Sequence, residues 1–360
     1  MKIFVTGIAG FLGGHIAEKL IEDGHEVSGC DNLIGGYLEN VPDDANFYQT
    51  DAIYLNQMVK MTKDADLVVH TACTAYEGLS VFSPYFVGNN TYQISLSVFS
   101  AIAKNNIPKV INFSSMARYG TQEKTPFTED QIPKPQDPYG IAKVAVENTL
   151  DVLSEVHNFE YVNLVPHNII GPRQKYDDPY RNVVSIMINR VLNDKPPIIY
   201  GDGEQQRSFS DIDDVVNPMM NSIFNEKCIK ETINVGPDEH VITINELAEK
   251  VLKVLNSNLE PVHVDPRPQE VLIAHCSADK ARKLLDYETS ITLDESIEKI
   301  ANWIISMGPK KFRYHLDLEI VNEKTPDTWK TKLIWFDFLT DLTSLELRYE
   351  QNNRHNFFTK

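Results

Sequence analysis

A short apolar run, Ile3-Phe4-Val5, opens directly into Thr6-Gly7-Ile8-Ala9-Gly10-Phe11-Leu12-Gly13. No other stretch constrains the fold as strongly. A strand, glycines three apart, and a helix with Leu12, Ile16 and Leu20 in register and Gly24 as its stop form one strand–turn–helix unit. Glycines let the backbone turn tightly and approach a pyrophosphate. The helix N-terminus offers free N–H groups and a positive dipole end to the anion. A second strand, His25 to Cys30, ends on Asp31, 18 residues after Gly13. A carboxylate there takes both ribose hydroxyls of an adenosine and repels a 2′-phosphate, so the cofactor reads as NAD rather than NADP.

Two further strands follow. Phe47-Tyr48-Gln49-Thr50 leads to Asp51, which either approaches an adenine ring or caps a helix, and both readings stay open. Leu67 to Ala72 ends in small residues, which a backbone needs to lie against a cofactor; His70 within it reads as structural. The expected fold is α/β: a doubly wound, Rossmann-type parallel sheet.

The composition bounds the function classes. The chain has 360 residues, 42% hydrophobic and 24% charged, with 34 Lys and Arg against 51 Asp and Glu, a net charge of −17. That is ample for a full core, and it disfavours nucleic acid or an anionic membrane as partner. A small anionic ligand needs only a few local cations and is not excluded. There is no apolar run of a transmembrane helix's length, and the N-terminus does not read as a signal peptide. Cys30, Cys73, Cys228 and Cys276 are far apart and read as free thiols in a reducing, cytoplasmic setting, with no metal site expected.

Lys109 to Ser115 reads as a strand ending in hydroxyls, and Tyr139 stands 24 residues after Ser115. Residues 139–157 read as a helix on which Tyr139 and Lys143, at i and i+4, share a face. Tyrosine needs its pKa lowered from about 10 to act as a base near neutrality, roughly 4 kcal/mol for three units. A nearby ammonium and an oxidised nicotinamide both act in that direction. Further on, Asp177 to Arg181 reads as a turn-rich insertion, Val183 to Leu192 as a helix, and Ile198 to Tyr200 as a strand reset by Pro196-Pro197. Arg173, Arg207 and Arg267 are isolated cations beside Gly or Pro turns, suited either to phosphate oxygens or to surface ion pairs.

Taken together, these segments resemble the extended short-chain dehydrogenase/reductase superfamily, in its NAD-dependent epimerase/dehydratase branch of nucleotide-sugar enzymes. The resemblance runs from residue 2 to about Trp303. It rests on the glycine loop, Cys30-Asp31-Asn32-Leu33, Ser114-Ser115-Met116-Ala117-Arg118-Tyr119-Gly120 and Pro138-Tyr139-Gly140-Ile141-Ala142-Lys143. It continues with Asn168-Ile169-Ile170-Gly171-Pro172-Arg173-Gln174, Tyr200 to Phe209, and Asn234-Val235-Gly236. It implies catalytic roles for Ser115, Tyr139 and Lys143, with Tyr139 as base. It implies NAD contacts at Gly7, Gly10, Phe11, Leu12, Gly13, Asp31, Asn32, Asp51, Ala52, Ala72, Asn90, Tyr139, Lys143 and Pro166. It implies contacts to a nucleotide sugar, a UDP-sugar first, at Tyr76, Ser115, Asn168, Val183, Tyr200, Arg207, Arg267 and Glu270. A homodimer pairing the helices at 90–104 and 139–157 is also implied.

The relatives that dehydrate or decarboxylate carry acids just after the Ser, where this chain has Met116 and Ala117. The simplest cycle is therefore 4-epimerisation through a transient 4-keto sugar. A dehydratase assisted by Glu77 and a non-catalytic NAD-binding sensor stay as alternatives. Arg118 and His167 stand where they could face the sugar, with Arg118 read alternatively as the partner of a surface acid, and Tyr76 or Glu77 is a candidate for a second acid/base group. The expected organisation is 1–165 for NAD, 166–308 mainly for the nucleotide sugar, and a 309–360 extension of unknown role. In the extension, Phe312, Tyr314, Leu316, Leu318 and Ile320 alternate, as do Leu345, Leu347 and Tyr349, which predicts a β-rich appendage.

Overall fold

Seven parallel strands form the central sheet of the computed structural model, which describes residues 1–332 and Ile334. From edge to edge they are Thr232–Val235, Glu160–Pro166, Lys109–Phe113, Leu67–His70, Lys2–Thr6, Glu26–Asp31 and Asn46–Gln49. The four strands from Glu160–Pro166 to Lys2–Thr6 are near-continuous buried runs because both faces are covered by helices, whereas the edge strand Asn46–Gln49 is largely exposed. On one face Ile16 and Leu20 of helix Phe11–Glu22 pack with Val215 and Met219 of helix Ile212–Phe224. On the other, Val98 and Ile102 of helix Ile94–Asn105 pack with Val146 and Leu150 of helix Pro138–His157. The chain order reverses between Lys2–Thr6 and Leu67–His70, which pair in register from Ile3↔Leu67 to Thr6↔His70. In such a sheet, the crevice at the strands' carboxyl ends beside that reversal is where a ligand fits.

A second, smaller body forms from helices Val183–Val191, Ile244–Val254 and Leu293–Met307, which share a core of Met187, Leu247, Val251, Ile300 and Ile304. Its short strands are local. Ile198–Tyr200 pairs with Val262–Val264, and Gln206–Arg207 lies between Ile242–Thr243 and Ile273–Ala274. Strand Thr232–Val235 and helix Ile212–Phe224 return to the central sheet, so the two bodies are interleaved along the chain.

In its described part, 309–332, the extension lacks the expected strands. Burial alternates from Phe312 to Leu318, but no strand occurs in 309–332. The only helical turn there is Asp327–Lys330. The segment's backbone groups bond to side chains and isolated backbone carbonyls of the body instead of to a ladder. The second alternation, at Leu345, Leu347 and Tyr349, and Trp335 lie outside the described residues. Among the described residues no helix is long and apolar enough to cross a membrane, and no cluster of three or more His, Cys, Asp or Glu is placed to hold a metal ion. The four cysteines are unpaired.

Two residues that could have faced the sugar are structural instead. Arg118 is buried and pairs with Glu147 through Nη2 at 2.9 Å and Nε at 3.1 Å, with its guanidinium 4.9 Å from the Tyr119 ring centroid. Ser114 donates to the same Glu147. The acid four residues after Lys143, on the helix itself, draws the arginine away from the crevice. His167 is fully buried against Gly236, where a Cβ would meet its ring. Burial pushes its pKa down to about 4, and that of His70 down to about 3. His70 bridges Thr6 Oγ1 at 2.8 Å and Ser95 Oγ at 2.9 Å, tying the first strand to the helix behind it.

A histidine held neutral in the fold binds its proton more readily when unfolded, so its contribution is lost as pH falls below the unfolded value of about 6.5. The melting temperature is expected to fall from pH 6.5 toward 4, with a shallower slope in His70→Asn. The difference between the two curves isolates the histidine from buried Asp31, Asp137 and Asp214, whose raised pKa values act with the opposite sign. Parallel curves would refute this account. Removing one partner of the buried pair, as in Arg118→Met, should cost about 3–5 kcal/mol in denaturant unfolding and leave ligand affinity unchanged. A weakened nucleotide-sugar affinity in a variant of normal stability would return Arg118 to the site.

Candidate active site

The glycine turn builds one half of the crevice. Gly7 has φ +75°, and a Cβ on it would lie 3.0 Å from the Ala72 backbone. A Cβ on Gly13 would collide with the Gly7 carbonyl. Both glycines are therefore fixed by close approach at the sheet's reversal point. Gly10 caps helix Phe11–Glu22 without any side-chain hydrogen bond, so the first-turn N–H groups stay available to an anion. Asp31 is oriented by N–H donation from Ala9 at 3.1 Å and Leu33 at 2.7 Å, which leaves further lone pairs for ribose hydroxyls. Burial raises its pKa and these N–H groups oppose the rise. Asp51 does two things at once: it accepts from Asn32 at 2.8 Å beside the crevice and from the Ile53 N–H at 2.9 Å.

The other half rests on one cap. Asp137 accepts from Gly140 N at 2.9 Å and from Ser80 Oγ at 3.2 Å, and Pro138 occupies the first turn, so helix Pro138–His157 starts at a fixed place. Gly140 lets that helix press on the Ala117 carbonyl. Tyr139 and Lys143 then point into the crevice. Ser115 caps the turn Met116–Arg118, accepting from Ala117 N at 3.2 Å. Lys143 donates to the Phe113 carbonyl at 2.7 Å, with its ammonium 5.8 Å from the Tyr139 ring centroid.

The protein's own groups act on Tyr139 against the sequence-based expectation of a lowered pKa. Burial raises it well above its ordinary value, Cys73 and Glu77 add to the rise, and Ser115 and Arg181 oppose it. Desolvation outweighs the cations nearby, and the Lys143 ammonium is engaged with a carbonyl.

A single cavity of about 460 Å³ joins the two halves. It is lined by Gly7, Gly10, Phe11, Leu12, Gly13, Asp31, Asn32, Asp51, Ala52, Ala72, Asn90, Ser115, Tyr139, Lys143 and Pro166. On the side of the smaller body it is lined by Asn168, Val183, Tyr200, Arg207, Arg267 and Glu270. Tyr76 is the exception. It is buried behind Arg181 and donates to Asp178 at 2.6 Å, so it positions that loop rather than facing the cavity. Arg173 is outside as well, paired with Glu18 at 2.8 Å.

Arg267 lies 4.9 Å over the Tyr200 ring, and Glu270 holds it at 2.7 Å and Arg207 at 3.7 Å. Glu77 faces the same cavity. Burial raises its pKa, Asp137 and Glu270 add to this, and Arg207 and Arg267 oppose it. Among the lining residues that the sequence reading did not single out are Arg181, from the turn-rich insertion, and Trp329 and Ile334, from the extension. The isolated Tyr180-Arg181 pair gave no spacing to read, and the extension had no counterpart motif.

Comparison with known proteins agrees with this geometry. Residues 3–236 match the model of the NAD dependent epimerase/dehydratase family. A putative UDP-glucose 4-epimerase of Methanocaldococcus jannaschii is 31% identical over 306 residues, covering 84% of this chain and 98% of the relative. The UDP-glucose 4-epimerase of Thermotoga maritima, solved with UDP-glucose, superposes with a TM-score of 0.80 at 30% identity, covering 85% of this chain and 99% of that one. The UDP-glucuronic acid 4-epimerase of Bacillus cereus, solved with UDP-glucuronic acid and NAD, gives 0.80 at 26% identity, covering 86% and 100%. The relatives are spanned almost end to end, with a remainder of this chain left over. On its glycine turn, its Ser–Tyr–Lys constellation and this match, the chain belongs to the NAD-dependent epimerase/dehydratase family.

Proposed function

We propose that the protein is an NAD-dependent nucleotide-sugar 4-epimerase acting on a UDP-sugar. The observation that carries this is the convergence of Ser115 and Tyr139 on a cavity whose wall after Ser115 is Met116 and Ala117, with no acid there. The unblocked helix N-terminus, the Gly7–Ala72 approach and the oriented Asp31 fit a dinucleotide. Gly7, Gly10 and Gly13 would hold its pyrophosphate, Asp31 its adenosine ribose, and Tyr139 and Lys143 its nicotinamide ribose. When bound, NAD supplies the hydride acceptor and donor and a positive charge that favours tyrosinate. Tyr139 Oη takes the proton from the sugar 4-hydroxyl and later returns it, with Ser115 Oγ sharing that hydrogen bond. Arg207 and Arg267 grip the diphosphate while the sugar ring turns to present its other face.

Glu77 favours a second reading. It is a cavity carboxyl close enough to influence Tyr139, and it could move a proton in a dehydration. Incubation with a panel of nucleotide sugars followed by mass spectrometry and sugar analysis separates the readings. Unchanged mass with a changed sugar is expected; loss of one water would establish the dehydratase, and no conversion would leave the sensor reading standing. Tyr139→Phe should lower turnover by about 10²–10⁴-fold while NAD still binds. Full activity in that variant would refute the mechanism.

The domain roles follow from the same reading: 1–165 serves NAD, and 166–308 mainly the nucleotide sugar. The four unpaired cysteines favour a cytoplasmic setting. A homodimer is supported by Ile141, Val152 and Val156, which are 55%, 59% and 69% exposed along one face of helix Pro138–His157. Light scattering should give twice the chain mass, and Val152→Glu with Val156→Glu should give the monomer. A monomeric parent protein would refute the dimer.

A further inference from the structure

The extension crosses the smaller body and closes one wall of the cavity. Its described part is anchored at several points between Lys310 and Glu319. Lys310 exchanges two hydrogen bonds with Asn189, at 2.8 and 3.0 Å, and Arg313 N donates to the Asp177 carbonyl at 2.8 Å. Tyr180 donates to the Leu316 carbonyl at 2.9 Å. Glu319 accepts from the N–H groups of Tyr85 and Phe86 at 3.0 and 2.7 Å, at the start of helix Pro84–Gly88.

These anchors deliver Trp329 to the cavity. Its ring lies 5.6 Å from Tyr180, 6.1 Å from Phe82 and 6.5 Å from Tyr200, and the neighbouring Thr328 hydroxyl bonds Tyr200 at 2.6 Å. A Cβ on Gly78 would meet Trp329 at 3.4 Å and the Arg267 guanidinium at 3.6 Å, so indole and cation stand side by side. Trp329 is 2% exposed, and its indole N–H has no hydrogen-bond partner among the described residues. A buried donor without a partner is costly and calls for one. The indole lines the cavity, beside a guanidinium suited to phosphate.

We propose that Trp329 is a specificity-determining residue of the nucleotide-sugar site, packing against the bound ligand beside Arg267 and donating its indole N–H to a ligand oxygen. The extension is then a built part of the substrate site. Its sequence sets which nucleotide sugars fit, independently of the Ser115–Tyr139–Lys143 chemistry. This rests on the nucleotide-sugar reading above.

The test is calorimetric binding of UDP-glucose, with UDP alone and NAD as separate titrations, to the full chain and to Trp329→Phe, which keeps a ring and removes the N–H. The expected result is a loss on the order of tenfold in UDP-glucose affinity with NAD affinity unchanged. Parent-level UDP-glucose affinity in Trp329→Phe overturns the proposal. A parent chain that binds NAD but neither UDP nor UDP-glucose instead overturns the nucleotide-sugar reading, and this proposal with it.

A second measurement needs no change at Trp329. The chain has three tryptophans, so Trp303→Phe with Trp335→Phe leaves Trp329 as the sole indole. Its emission should shift or quench when UDP-glucose saturates the protein. An unchanged spectrum at saturation overturns the proposal.

Discussion

The structure depends on two backbones passing each other at the point where the sheet reverses direction. Gly7 turns at the end of one strand within contact of Ala72 at the end of its neighbour, and Gly13 passes under the Gly7 carbonyl. A side chain at either glycine would push the first helix off the sheet. The helix N-terminus would then no longer face the crevice, and Asp31, oriented by the Ala9 N–H, would lose its bearing. The uncapped helix N-terminus and the oriented Asp31 are thus consequences of one steric constraint, not separate devices. The chain's acidic surplus matters little here, because the positive field is local: N–H groups at one end of the cavity and arginines at the other.

The catalytic half obeys a different balance. Tyr139 is buried deeply enough that desolvation dominates its ionisation, and two neighbours, Cys73 and Glu77, push in the same direction. The protein's own groups therefore favour the protonated phenol. Lys143 is anchored on the Phe113 carbonyl and does not reverse this. On the proposed reading, an oxidised nicotinamide beside the phenol is the cation that would favour its ionisation. The same burial that raises the phenol pKa also removes the dielectric screening that would weaken that cation's effect.

The sequence spoke most clearly where chemistry forces a fixed spacing. Glycine at 7, 10 and 13, an acid at the next strand end, and Tyr139 four residues before Lys143 are each required by local geometry, and each lies on the one cavity. It spoke poorly where a side chain's direction depends on distant partners. Arg118 turns away because Glu147, 29 residues on, is buried beside it. Tyr76 turns away because Asp178, 102 residues on, takes its hydroxyl. Arg181 turns inward for equally non-local reasons. A one-dimensional pattern carries no record of such choices.

The extension shows the same limit from the other side. Period-two alternation reports which side chains are buried, not what the backbone bonds to. Here Phe312 to Leu318 bury alternate residues, yet the body supplies hydrogen-bond partners from Tyr180, Asp177, Asn189 and Ser83 rather than from a neighbouring strand. A strand held by a ladder can slip by two residues and keep its burial. A segment held by individual side chains, isolated carbonyls and a capped helix start at Tyr85 and Phe86 cannot, because each bond names its partner. That is the arrangement needed to hold one aromatic ring, Trp329, at one place in a wall. A segment that only had to cover apolar surface would gain nothing from so many specific anchors.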